Sequence, residues 1–230
     1  MNTTLSQNDF ESCQQVGYGK AMSNIQIPFP DKKYQIILAD PPWSYKVWSE
    51  DKKAAQGCAK KYYQTMSNED IYNLPVGELC EQDTKLFLWA TAPCLPEALE
   101  TIKAWGFEYK TIVFTWIKLN KTVKTNQTMF LLADALPRFY GIGHWTASNS
   151  EFVLGGLRKG GKLNRQDKSI SQIIQTPLTR HSEKPKEVAE KIVRLCGDLP
   201  RIELFARQET EGWDVWGNEV ESGAKMMEFT

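Results

Sequence analysis

The stretch Tyr34-Gln35-Ile36-Ile37-Leu38-Ala39-Asp40-Pro41-Pro42-Trp43 decides the fold. Its first six residues are apolar almost without interruption, the pattern of a strand buried on both faces in a helix-covered parallel sheet. The run then stops at a carboxylate and two prolines. In open α/β sheets the functional groups collect beyond the C-terminal ends of the strands, which is where Asp40 would stand. Asp40 and Pro41 each precede a proline, so both are pushed into extended conformations. Two successive fixed φ angles without N–H donors make a stiff, projecting loop.

Working outward from this strand, Lys85 to Thr91 reads as a second buried strand and Tyr109 to Ile117 as a third. Between them Pro96 to Trp105 is a helix closed by Gly106, with Leu99, Ile102 and Trp105 on one face. Ser67 caps a shorter helix, with Asp70 three residues on. Residues 44–61 are rich in Lys and lack a usable period, so they read as a loop. Asn120 to Ala147 is the least regular part; its apolar patch, Met129 to Leu136, reads as a short helix beside the site. Glu151 to Leu154 and Ser171 to Gln175 read as short strands, divided by a Gly-rich basic segment. Lys184 to Cys196 is a helix with Pro185 in its first turn and Gly197 at its end, and Arg201 to Ala206 is the last strand. Alternating strands and helices predict an α/β sheet with crossovers. Residues 1–24 read as a flexible arm, 25–220 as one domain and 221–230 as a tail.

Composition narrows the function classes. The chain has 230 residues, with 28 Lys plus Arg against 28 Asp plus Glu, so no global charge draws it to nucleic acid or anionic membrane. Any basic surface must be local. Its five Cys are scattered and form no Cys-x-x-Cys pair, and it has only two His, His144 and His181. Neither a disulfide framework, nor a zinc cluster, nor any other metal site is expected. The first residues lack the pattern of a secretory signal, and the longest apolar run, near Leu86 to Leu95, is too short to span a bilayer. A soluble cytoplasmic protein without membrane partners is the expectation.

The Asp40 loop also suggests a chemistry. A carboxylate and a bare carbonyl held in place can accept the two N–H hydrogens of an amine whose lone pair is conjugated into a ring, as in adenine. The nitrogen is then drawn toward tetrahedral geometry and its lone pair aimed at an electrophile. Trp43 either offers a face on which the base stacks or packs in the core beneath a strand-ending turn. His181 reads as a residue at the start of a helix. Gly141-Ile142-Gly143 lacks the third glycine of a dinucleotide fingerprint.

Further blocks accompany the loop in one order: Tyr63-Gln64-Thr65-Met66-Ser67, Leu86-Phe87-Leu88-Trp89, Trp105-Gly106-Phe107, Gly143-His144-Trp145 with Glu151, His181-Ser182-Glu183-Lys184-Pro185, Glu203-Leu204-Phe205-Ala206-Arg207, and Gly212-Trp213-Asp214-Val215-Trp216-Gly217-Asn218-Glu219. In this the chain resembles, from about Tyr34 to Val220, the adenosine methyltransferases that include the catalytic subunit of the eukaryotic messenger-RNA enzyme and many bacterial and phage homologues. The resemblance implies a Rossmann-like domain dependent on S-adenosylmethionine, a mostly parallel sheet flanked by helices, in permuted order with the catalytic half first. It further implies that Asp40, Pro41, Pro42 and Trp43 form the catalytic loop, that Tyr63 lies near the target base, and that Asp40, Lys184, Glu203, Leu204, Arg207, Asn218 and Glu219 hold the cofactor. Glu203 suits ribose hydroxyls and Lys184 a methionine carboxylate. Without the resemblance Lys184 and Arg207 would read equally as solvated cations, and Tyr63 or Tyr62 as a core aromatic. Where some relatives place an Asp for the cofactor adenine, residues 21–27 offer only Asn24 and Gln26.

The resemblance points to methyl transfer onto the 6-amino group of adenine in DNA, with RNA as the second choice and a silent, scaffolding subunit as the third. Members work as single chains and as heterodimers, so a homodimer or a heterodimer is compatible with it. Cationic residues gather in three segments: Lys46, Lys52, Lys53, Lys60 and Lys61; Lys118, Lys121 and Lys124; and Arg158, Lys159, Lys162, Arg165 and Lys168. If these converge around Asp40 they form a phosphate track, with Lys46, Lys162 and Arg165 on the substrate; otherwise they are scattered solvated loops.

Overall fold

The computed structural model describes residues 28–44, 66–120, 139, 141, 145–179, 183–218 and 220. Tyr63, Lys46, Glu219, both histidines, the arm, the tail and the apolar patch at 129–136 lie outside the described residues. Within them the first strand, β1 (Tyr34–Ala39), has the bounds that the apolar run predicts. The Ser67 cap is present: its Oγ accepts the Asp70 backbone N–H at 3.1 Å and starts α1 (Asn68–Tyr72). Next come β2 (Cys80–Ala90), α2 (Leu95–Ala104), β3 (Phe107–Leu119), β4 (Ser150–Arg158), β5 (Ile173–Pro177), α3 (Lys186–Cys196), β6 (Arg201–Leu204) and β7 (Asp214–Trp216). Gly106 and Gly197 follow the two longer helices with φ of 80° and 93°, left-handed values that suit only glycine without strain.

These strands form one curled seven-stranded sheet in the order β5-β3-β4-β2-β1-β6-β7. β1 lies beside the central strand β2, parallel to it and to β6, and β7 continues the parallel run. β4 is antiparallel to both β2 and β3. The sheet is covered on both faces, and the side chains of β1 alternate between them. Ile37 and Ala39 join Leu86, Leu88, Ile71, Ala98 and Ile102 under α1 and α2. Ile36 and Leu38 join Phe87, Trp89, Val188, Ile192 and Leu195 under α3. The period of two along the strand thus feeds both cores, which is why the sequence reads as a continuous apolar run.

Two expectations at the end of the chain need correction. The last strand is not 201–206: β6 stops at Leu204 because Phe205 turns into the left-handed region with φ of 62°. A further strand, β7, then pairs with β6, Leu204 opposite Trp216. With only three residues it has no period to read. Among the described residues no helix is long and apolar enough to cross a membrane.

Candidate active site

The parallel register places the C-terminal ends of β1, β2 and β6 side by side, Ala39 opposite Leu88 and Leu204. β4 runs the other way, so its beginning meets the same end of the sheet, Phe152 opposite Ala90. Asp40 emerges here. Its loop is tightly tied: Trp43 N–H donates to Pro41 O at 2.8 Å, Met66 N–H donates to Pro42 O at 3.1 Å, and Asp40 N–H reaches Leu204 O at 3.4 Å. Among the described residues the Pro41 carbonyl accepts this one bond, and a carbonyl oxygen has two lone pairs.

Trp43 does not present a stacking face. It is 6% exposed, belongs to the core under α1 and α2, and donates its indole N–H to Trp89 O at 3.1 Å. Its bulk and that bond pin the loop from below. Among the described residues the exposed tryptophan is instead Trp145, 94% accessible, three residues before Ser148, which pairs with Gly141 just ahead of β4.

Lys184, immediately before Pro185 and α3, donates to Asp40 Oδ2 at 2.8 Å and lies 3.3 Å from Glu151 Oε2. The other oxygen of Glu151 accepts from Lys118, near the end of β3. Four charges of alternating sign therefore run across the site, Asp40, Lys184, Glu151, Lys118, and sum to zero. Both ammonium groups sit over indoles: Lys184 is 5.4 Å from the Trp89 ring centroid and Lys118 is 5.1 Å from that of Trp116. Those two rings meet edge to face at 6.2 Å. Sequence reasoning places Lys118 among surface cations and gives Glu151 no role. Their one signal is position, the ends of two strands that arrive beside Asp40.

Burial sets the protonation of this chain. It pushes the Asp40 carboxyl above the ordinary carboxylate range, more than the neighbouring Lys184 and Arg207 charges pull it back, and Glu151 adds to the rise. For Glu151 burial acts the same way, but Lys184 and Lys118 together outweigh it and hold the group below its ordinary value. Burial disfavours the Lys184 ammonium, yet Asp40 and Glu151 more than compensate, so it stays charged.

Glu203, next to last in β6, completes the acidic side. Its carboxylate accepts from Thr210 Oγ at 2.9 Å, and burial raises its pKa, with the Asp40 charge adding to that rise. Leu204 is fully buried, so it faces the site with its backbone and not its side chain. Arg207 lies close enough to act on the Asp40 charge, and Asn218 is exposed beyond β7. Between them the chain is cramped: a Cβ on Gly217 would fall 2.2 Å from Ala206 O. The left-handed Phe205 stands on this corner, its ring 5.5 Å from Trp216. Strain of this kind collects where a backbone is shaped for a ligand. Glu203 as acceptor and Lys184, Arg207 and Asn218 as donors are groups of the kind that would hold the polar parts of a nucleoside cofactor, and Gly217 lets its backbone meet that of Ala206.

Lys162 and Arg165 are not brought here. Lys162 N–H donates to Asp83 Oδ1 at 3.1 Å, at the beginning of β2, seven residues or roughly 23 Å of strand from Ala90. Gln166, beside Arg165, donates its N–H to Leu195 O at the C-terminal end of α3, whereas Lys184 precedes its N-terminal end. The expected convergence of the third basic segment on Asp40 fails because β4 runs antiparallel and carries that segment to the other end of the sheet. A cleft of about 690 Å³ lined by Lys32, Tyr34, Glu209 and Asp214 also lies at the starts of β1 and β7, away from Asp40. Among the described residues no group of three or more His, Cys, Asp or Glu is placed to hold a metal ion.

Residues 34–219 match the model of the MT-A70 family. The chain is 33% identical to the type II methyltransferase M.MunI of Mycoplasma sp over 83% of its length and 79% of that protein's. It is 24% identical to the human N(6)-adenine-specific methyltransferase METTL4, over 82% of this chain and 38% of that one. It is 25% identical to the N6-methyladenosine RNA methyltransferase MTA1 of Pyricularia oryzae, over 81% of this chain and 47% of that one. The chain thus spans most of the Mycoplasma protein and less than half of these two eukaryotic ones.

Proposed function

Because the chain belongs to the MT-A70 family of N6-adenine methyltransferases, we propose that it moves a methyl group from S-adenosylmethionine to the 6-amino group of adenine in DNA. The observation that carries this reading is the Asp40 loop: a carboxylate and a carbonyl fixed by a buried tryptophan, at the strand end where Lys184, Glu151 and Glu203 converge. Asp40 and the second lone pair of Pro41 O accept the two amino hydrogens and turn the nitrogen lone pair outward. The cofactor, when bound, supplies a methyl on a positively charged sulfur. The Asp40 carboxylate would take the N–H proton released once the nitrogen has gained that methyl, whose former bond pair would stay with the sulfur. A carboxyl whose burial raises its pKa is suited to take that proton.

Glu203 would hold the ribose hydroxyls, and Arg207 and Asn218 the remaining polar groups. Lys184 has two of its three N–H donors committed to Asp40 and Glu151, which leaves the third for the methionine carboxylate. In a duplex the target amine is stacked, so the base must be flipped out or taken from a single strand. DNA is favoured over RNA because the chain is 33% identical to the Mycoplasma type II methyltransferase along most of both chains, against 25% to the Pyricularia RNA methyltransferase. The Pyricularia relative supports RNA as the second reading.

The test is transfer of labelled methyl to single-stranded DNA, duplex DNA and RNA of matched mixed sequence, by wild type and Asp40→Ala. We expect label in DNA adenine, and a loss of at least a thousandfold in the variant, with circular dichroism showing that the variant stays folded. Label in RNA alone would move the substrate to RNA. Binding of the cofactor without transfer to any polymer would point to a missing partner or substrate, and failure to bind the cofactor as well would favour a silent subunit.

A further inference from the structure

We propose that Lys118 is a positioning residue of the active site, acting through Glu151 and Lys184 on Asp40, rather than a phosphate-binding cation. The proposal rests on the methyltransferase reading of Asp40 and adds the control of its charge. Lys118 is one of three lysines that precede residues 125–147 in sequence, and by composition alone it belongs to a basic surface. The structure turns it inward. Its side chain is 19% exposed, its ammonium is bonded to a Glu151 carboxylate that is itself only 9% exposed, and that ammonium lies 5.1 Å from the Trp116 ring centroid. Trp116 is anchored in turn, its indole N–H donating to Thr176 Oγ at 2.8 Å on β5. Among the described residues the ion partner of this ammonium is Glu151.

The reason for such a partner follows from counting charges. Lys184 is shared between Asp40 at 2.8 Å and Glu151 at 3.3 Å. A single ammonium between two buried carboxylates would be drawn toward both, and the set of three would carry a net negative charge. Lys118 brings the sum to zero and satisfies the second oxygen of Glu151, so Lys184 can keep its shorter bond to Asp40. Every element that packs against this point contributes a group: Asp40 from β1, Cys94 from the turn after β2, Lys118 from β3, Glu151 from β4, Lys184 from the start of α3, and Glu203 and Arg207 from β6 and the loop after it. None of the others can replace Lys118, because Arg207 acts on Asp40 and Cys94 is a buried thiol whose own pKa is raised.

Charge removal at two points should then move Asp40 in opposite directions. Lys118→Met leaves the chain one unit more negative, so Asp40 protonates more readily and its titration moves up by about one pH unit. Glu151→Gln leaves the chain one unit more positive and moves it down by a similar amount. Lys118→Met combined with Glu151→Gln restores a sum of zero and returns the titration close to wild type. Lys118→Arg keeps the charge and rescues the single variant. Loss of packing cannot produce shifts of opposite sign that cancel in combination.

The experiment follows the Asp40 carboxyl by carbon-13 NMR in protein labelled at Asp, with Asp40→Asn identifying the resonance, alongside the pH profile of methyl transfer and the salt dependence of DNA binding. Opposite shifts in the single variants, cancelling in the double, with an unchanged salt slope, establish the proposal. Identical titration in all variants overturns it. So does a salt slope that becomes shallower by about one in Lys118→Met with an unmoved titration, which is the mark of a phosphate contact. The NMR titration needs no turnover, so a wild type that methylates no polymer refutes the functional reading while the charge coupling is still decided.

Discussion

At the scale of single residues, the site is built by burial acting on side chains that the sequence presents as ordinary. Trp43 shows this most directly. A tryptophan beside a catalytic carboxylate invites a stacking role, but its indole N–H is spent on Trp89 O and its ring on the core. It supports the loop instead of touching a base. Trp43→Phe keeps an aromatic ring, though a smaller one, and loses the bond, and should cost about 1–3 kcal/mol in denaturant titrations, with methyl transfer falling more than cofactor affinity. Gly217 is the opposite case, where a missing side chain lets two backbone segments meet. Gly217→Ala would drive a methyl to 2.2 Å from Ala206 O. The strand pair β6 and β7 must then open at that corner, and we expect cofactor affinity, measured by calorimetry, to fall at least tenfold while Asp40 and Lys184 stay in place.

At the scale of elements, legibility followed length and environment. β1 could be read to the residue because both its faces are buried and a proline pair ends it. The helices α2 and α3 were legible from an apolar stripe with a glycine at the end. β7 was not, since three residues cannot show a period, and neither was the end of β6, which depends on a backbone conformation that Phe205 adopts against its preference. The same contrast ranks the elements energetically. Ile192 is fully buried between α3 and the Ile36 and Leu38 side of β1, so Ile192→Ala should cost about 2–5 kcal/mol. Ser67 caps a five-residue helix at the surface, and Ser67→Ala should cost only about 1 kcal/mol. Urea unfolding of the two variants measures both, and equal losses would show that α1 carries more of the fold than its burial indicates.

At the scale of the whole molecule, what the sequence could not convey is which end of the sheet a segment reaches. The residues that bring chemistry from β1, β6 and the start of α3 were readable as blocks, but their meeting with Glu151 and Lys118 depends on β4 and β3 being antiparallel to each other. That one reversal brings the beginning of β4 to Asp40 and sends Arg158 and the cations after it to the far end. A chain of zero net charge has no general attraction for a polyanion, so its affinity must come from whichever local cations face the substrate. Replacing Lys162 and Arg165 together by Gln should therefore leave the slope of log affinity against log salt unchanged, because both are anchored beside Asp83 and Leu195. Lys46, three residues beyond Trp43 in sequence, should behave differently: Lys46→Gln is expected to make the slope shallower by about one, uniformly across DNA sequences. Fluorescence anisotropy with a labelled oligonucleotide over a range of salt decides between them. A shallower slope in the Lys162 and Arg165 variant would mean that the polymer reaches past the edge of the sheet, and that its path over the protein is at least one strand longer than the site at Asp40 requires.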